Sequence, residues 1–282
     1  MKYEINQQQI VDYLNTLSYD QQAARLGVWT GRVPSTNGTY FSNASNSFRQ
    51  EIKVTTAGTN NTIPAVFGLT YTYNAFIPAS FLNWQDLTSY LDWAGLRPMT
   101  EFEFEKAARG TNYPVSNEYA WGTTKIGSSN GAFANQNSNA ETSNVIYDGN
   151  CWYNHNVGPI RSGFAANASS NRTQSGASYY GIMELSGNVY EQCVGGAGFN
   201  YSNFSTLNGN GVVSNVGLAD VLGWPKNGGL SSGTIFKGGA FNTQTAESRY
   251  LQISDRSFYQ GQSENGNTVR NKESGGRGVR SF

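Results

Sequence analysis

Two cysteines, one histidine and a short run of glutamates are the first places in this 282-residue chain where covalent, metal or acid–base chemistry could sit. Thiolates bind soft metals and act as nucleophiles, but Cys151 and Cys193 offer one pair at most, which is no disulfide framework in a chain of this length. The expectation is two free, buried thiols. His155 stands between Asn154 and Asn156. An imidazole can serve as base or ligand, yet a lone histidine in such a loop reads as a packed or surface residue. Glu101, Glu103 and Glu105 alternate through EFEFEK. Carboxylates collect in a first helical turn because the helix dipole favours them there, so the run reads as a helix start rather than a catalytic pair. The chain carries no G-x-S-x-G, P-loop, H-E-x-x-H or dinucleotide fingerprint.

The elements that would position these groups are clearest in the middle of the chain. Trp84, Leu87, Tyr90, Leu91 and Ala94 recur at helical spacing after Asn83, with Asp86 at the capping-box position and Gly95 as a stop. Thr100 and Glu103 form a second capping box, Phe104, Ala107 and Ala108 an apolar stripe, and Gly110 a second stop. Tyr90, Trp93, Phe102 and Phe104 are expected in the core. Ile10, Val11, Leu14 and Leu17 predict one or two amphipathic helices over 6–26, which could anchor an oligomer. The runs 51–56 and 65–73 read as strands. The tract 111–235 is dominated by glycine and asparagine turns, a length that is unusual unless it is functional or internally packed.

Lysine plus arginine balance aspartate plus glutamate at 19 each, so no net field draws in nucleic acid or an anionic membrane. No run of about 18 apolar residues occurs, and MKYEINQQQIVDYL has no apolar core of a secretion signal, which predicts a soluble chain without membrane insertion. Charged residues make up 13% of the chain against roughly 25% in average soluble proteins. Uncharged polar groups and aromatics carry the surface instead, a composition that resembles a recognition loop.

In order along the chain stand W-x-D (84–86), YLDWAGLRPMTEFEFEKAARG (90–110), YAWG (119–122), GIMELSGNVYEQC (181–193), FKGGAF (236–241), SRYL (248–251) and GGRGVR (275–280). This series resembles the formylglycine-generating enzyme and sulfatase-modifying-factor family, over about residues 76–282. The resemblance implies an α+β, C-type-lectin-like fold with small antiparallel sheets, two helices and extensive loops. Residues 1–75 are then an N-terminal segment with an oligomerising role, residues 76–282 the lectin-like domain, and 236–282 its ligand-binding region. In oxidase members two cysteines after the RGGS-type turn hold copper; those positions fall on Thr243 and Ser248, neither of which can be a thiolate. A branch that uses iron needs three histidines, and this chain has one. The expectation is therefore a non-enzymatic protein with no redox cofactor. The family's calcium-binding block falls on Glu184, Gly187, Val189 and Glu191, which implies a structural Ca2+, although GNVYE could equally be a turn whose glutamate bonds to backbone amides. A second family site would begin at Ala134 and Asn135 with Asp148, but the spacing departs from the pattern.

Gly238, Gly239, Arg249, Arg256, Arg277 and Arg280 read as framework in the last 47 residues. Between them lies an irregular polar and aromatic set: Asn242, Thr243, Gln244, Ser257, Phe258, Tyr259, Gln262, Ser263, Asn265 and Asn267. Phe258 could tuck inward or stand out as an aromatic anchor. The arrangement is similar to the variable proteins of diversity-generating retroelements, in which a hypermutated C-terminal segment is displayed on this fold. It implies a protein or glycan receptor on a target cell as partner, no nucleic acid, and a phage-tail or cell-surface setting. Asn242, Thr243, Ser257, Phe258 and Tyr259 are then expected on one exposed face. The other readings are a structural or oligomer-forming member without diversification and a divergent enzyme of the formylglycine-generating type.

Overall fold

The computed structural model describes residues 1–28, 31–42, 47–59, 61–128, 133–144, 147–196, 199–228, 232–257 and 270–281. The helices among them are α1 (Gln7–Leu14), α2 (Tyr19–Leu26), α3 (Trp84–Trp93), α4 (Glu101–Arg109) and the one-turn α5 (Arg172–Ser175). Each opens with a complete capping box. The side chains of Asn6, Ser18, Asn83, Thr100 and Asn171 accept from the N3 backbone, and those of Gln9, Gln21, Asp86, Glu103 and Gln174 accept in return from the cap N–H. The strands are β1 (Ile52–Thr56), β2 (Val66–Leu69), β3 (Arg97–Pro98), β4 (Gly127–Ser128), β5 (Phe133–Ala134), β6 (Thr142–Ser143), β7 (Asn150–Cys151), β8 (Tyr190–Val194), β9 (Thr234–Lys237), β10 (Ser274–Gly275) and β11 (Gly278–Val279).

The expected strands over 51–56 and 65–73 are the antiparallel pair β1–β2, although the second ends at Leu69 and passes into a 3-10 turn over Thr72–Phe76. In the central sheet β8 lies between antiparallel β9 and parallel β10. All five residues of β8 are buried, so a strand reading YEQCV carries no in–out alternation. Its Gln192 amide is satisfied by donating to the carbonyls of Leu82 and Gly275. After β9 the chain turns back at Gly238 and Gly239, with φ of 84° and 71°. A Cβ at Gly238 would lie 2.5 Å from the Leu185 carbonyl oxygen, so glycine is required there twice over.

The two central helices face different parts of the core. Trp84, Leu87 and Leu91 of α3 pack with Ile10, Val11 and Leu14 of α1 and Ile52 and Val54 of β1. Phe104 and Ala108 of α4 pack with Trp121, Leu185, Cys193, Ile235 and Leu251. The N-terminal segment packs against residues 76–282: Tyr13 meets Tyr90 and Trp93 at 6.2 and 5.7 Å between ring centroids. Ile5 also bridges Gly276 and Ala79 through its backbone. Phe102 departs from its expected place. It is 57% exposed and lies against Tyr201 with tilted rings 4.9 Å apart, because Phe104 and Ala108 occupy the inward face of α4 and Phe102, two residues before Phe104, points away from it. Trp93 is half-buried.

Candidate recognition surface

The two helices hold the C-terminal region through arginines. Arg270 has a fully buried side chain that forks onto Asp86 of α3, Nε to Oδ2 at 2.7 Å and Nη2 to Oδ1 at 2.8 Å. The same guanidinium donates to the carbonyls of Phe41 and Arg25 and lies 4.0 Å over the Phe41 ring. Asp86 therefore both closes the α3 capping box and receives Arg270. Arg256 does the corresponding work on α4, bonding to Glu101 through Nε and to Glu105 through Nη2. Glu101 also accepts from Tyr201 Oη at 2.6 Å. Burial would raise its pKa, but the bonds from Tyr201 and Arg256 outweigh that and hold it below the usual carboxylate range. Lys237, fully buried at the end of β9, donates to the Asp255 carbonyl at 2.8 Å and lies 3.7 Å from Glu105. Glu103 is engaged by Arg97 and by the Thr100 cap, so all three glutamates of EFEFEK are structural partners.

Ser257 follows Arg256 directly, and its hydroxyl donates to the Asp255 carboxylate. Phe258, Tyr259, Gln262, Ser263, Asn265 and Asn267 lie outside the described residues. Asn242, Thr243 and Gln244 form a separate turn. Gln244 is exposed, and Asn242 is half-buried with its amide donating 2.7 Å to Glu273. Thr243 corrects the expectation of a shared exposed face: it is only 5% exposed, and its hydroxyl accepts from the Ala240 N–H at 3.0 Å. Its N–H returns to the Ala240 carbonyl, and its own carbonyl accepts from Asn154. The threonine closes the turn that presents its neighbours. Arg249 and Arg280 are also not framework residues of the expected kind; both are exposed, and Arg249 lies over the ring of Tyr250.

The remaining candidates for chemistry are enclosed. Cys151 and Cys193 are free and buried, and burial pushes both thiols well up, away from the thiolate form. The Cys151 thiol donates to the Ser186 carbonyl. His155 stacks on Trp152 with centroids 3.8 Å apart, and burial lowers its pKa to about 4, which keeps the imidazole neutral. Its backbone N–H donates to Phe241, so it braces the 240–243 turn from behind.

Glu184 and Glu191 lie in a buried acidic group with Glu4 around Arg277. Arg277 bonds to Glu191 through Nε at 2.6 Å, and both side chains are almost wholly enclosed. Glu4 accepts from the Val189 N–H, the Asn188 amide and the Ser162 hydroxyl. Burial, with the charge of Glu184 beside it, raises the Glu4 pKa well above its usual value. Burial likewise raises Glu184 to about 7, against the lowering effect of the Gly163 N–H and of Arg277. Gly187 donates to the Gly238 carbonyl, and a Cβ there would crowd the Cys151 sulfur. The donor set fits a hard cation in part. Among the described residues Glu184 Oε2 and Glu191 Oε2 are buried with no hydrogen-bond partner, while Arg277 already neutralises Glu191. No group of three or more His, Cys, Asp or Glu among the described residues is arranged as a metal cluster. At the second position Asn135 bonds to the Ala140 carbonyl and Asp148 lies 3.9 Å from Lys125, and no bond among the described residues joins the two.

Arg270 is the site residue that sequence reasoning missed. It sits inside an unpatterned polar run, and its partner Asp86 is 184 positions away, already accounted for as a helix cap. No curated protein matches the chain significantly. The profile of the sulfatase-modifying factor enzyme 1-like domain matches residues 1–281, including the N-terminal segment that the motifs alone left out. With its small sheets, capped helices and long loops in the α+β, C-type-lectin-like arrangement, the chain belongs to the FGE-sulfatase family.

Proposed function

We propose that this chain is a non-enzymatic recognition protein that displays an exchangeable C-terminal surface to a protein or glycan receptor on a target cell, in the manner of a retroelement-diversified variable protein of a phage tail or cell surface. The observation that carries this reading is the pair of arginine posts. The stretch from Ser257 to Val269 begins beside Arg256 and ends beside Arg270, and each arginine is locked to a carboxylate of a core helix. A surface whose ends are preorganised loses less on binding, where each freed side chain that must be ordered costs about 0.5–1.5 kcal/mol. Gln244, Asn242 and Ser257 are the described residues offered to the receptor, with Phe258, Tyr259, Gln262, Ser263 and Asn265 completing the set; Thr243 supports the turn from inside. A calcium ion would be held through Glu184 and Glu191 with the backbone of Gly187 and Val189, as structural ballast for the buried carboxylates rather than as a participant in binding.

Thr243 and Ser248 at the positions of the copper cysteines, together with two thiols kept protonated by burial, support the absence of oxidase chemistry. The experiment is a chimera that exchanges residues 257–269 for those of a relative with a known target, assayed by binding to whole target cells, alongside a Cu(I) titration of the native protein. The reading expects cell specificity to travel with the exchanged stretch and no stoichiometric copper. Conversion of a peptide cysteine to formylglycine by the copper-loaded protein would instead establish the divergent enzyme.

A further inference from the structure

The segment from Phe204 to Asn227 adds no strand to the central sheet, yet α3 fixes it closely. The Asp92 carboxylate accepts from the Asn210 and Asp220 N–H groups, both at 2.9 Å. Ser89 Oγ accepts from Ala219 N–H, and the Trp84 indole donates to the Pro225 carbonyl at 2.6 Å. Between α3 and this fixed segment lies a cleft of about 430 Å³. Its lining combines apolar Leu218, Val221 and Pro225, set against the buried Trp224, with polar Gln85, Asp220 and Lys226. The volume falls within the roughly 300–1,000 Å³ of small-molecule sites, and a wall held by these hydrogen bonds to α3 is formed before any ligand arrives.

We propose that this cleft is a second binding site, separate from the C-terminal turn, for a neutral saccharide unit. The single carboxylate and single ammonium at the rim cancel, so a ligand of either charge would leave one of them poorly matched. Carboxylate, amide and ammonium groups together supply the donors and acceptors that neighbouring hydroxyls require. Leu218, Val221 and the Pro225 ring, backed by the buried Trp224, offer the apolar surface that the C–H face of a sugar ring covers. None of these residues belongs to the surface proposed above, so the inference goes beyond that reading and can fail without it.

The test is calorimetric titration of the full chain with glucose, galactose, mannose, N-acetylglucosamine and their short oligomers, with the Trp224 indole N–H followed by NMR. Saturable binding of at least one sugar with a shift of that resonance is expected. Asp220→Asn, nearly isosteric, should weaken binding roughly tenfold or more, the loss of one charge-assisted hydrogen bond. Ala219→Trp should fill the cleft and abolish binding; should that variant fail to fold, Asp220→Asn and Gln85→Ala still decide. No binding across the panel overturns the proposal, as does binding left unchanged by both polar variants. Binding lost instead on replacing Gln244 and Ser257 would place the sugar at the C-terminal turn and equally overturn it.

Discussion

Arg270→Ala is the sharpest perturbation of the scaffold. The substitution removes both arms of the fork onto Asp86 and the donors to the Phe41 and Arg25 carbonyls, all in a place where neither Arg270 nor Asp86 is more than 2% exposed. Breaking a buried pair by deleting one partner costs about 3–5 kcal/mol, because the remaining charge is left uncompensated. Arg25 lies 3.6 Å from Asp86 and keeps part of the compensation, but it gives no fork. Unfolding entropy of about 2.1 cal/mol/K per residue over the whole chain turns that cost into a fall in Tm of about 5–8 °C. Differential scanning calorimetry reads it directly. Arg270→Lys should recover only part of the loss, since an ammonium cannot satisfy both carboxylate oxygens and two carbonyls in one plane. A Tm within about 1 °C of the parent for the alanine variant would refute the claim that this arginine is a fixed post and with it the mechanical basis of the proposed display.

Two further outcomes follow from the core and the acidic cluster. Phe104→Ala should cost about 3–5 kcal/mol in urea unfolding, whereas Phe102→Ala, exposed and resting on Tyr201, should cost less than about 1.5; equal losses would mean that the inward face of α4 is misassigned. Glu184, raised to about 7, keeps its proton in the folded chain over a range in which the unfolded chain has given it up, so in metal-free buffer stability should fall as pH rises through that range and level off above it. Calcium at about pH 7.5 should raise Tm and flatten the pH profile, because a bound cation favours the carboxylate; a profile already flat without calcium, and unmoved by it, would exclude the site.

What was legible in the sequence was local. Asn83 with Asp86 and Thr100 with Glu103 lie within one helical turn of each other, and both boxes form as their spacing predicts. The two phenylalanines of EFEFEK were harder, because an alternating pair in a helix cannot both face inward and only the stripe through Ala108 tells them apart. Residues 111–235 resisted reading because strands of two residues, such as β4 to β7, leave no period to detect. β8 was visible only as a motif, since burial on both faces removes the alternation and its Gln192 and Glu191 bond to partners distant in sequence. Thr243 looked like a surface residue by composition; its hydroxyl closes a backbone turn, a role set by the fold around Ala240. Arg270 became visible only when two distant segments met.

The arginine posts have a corollary for sequence change. Both are made by residues outside 257–269 and reach carboxylates on α3 and α4, so rewriting that stretch alters neither ion pair. The body of the protein is indifferent to what is spelled between its posts, which is the independence that the proposed display would need.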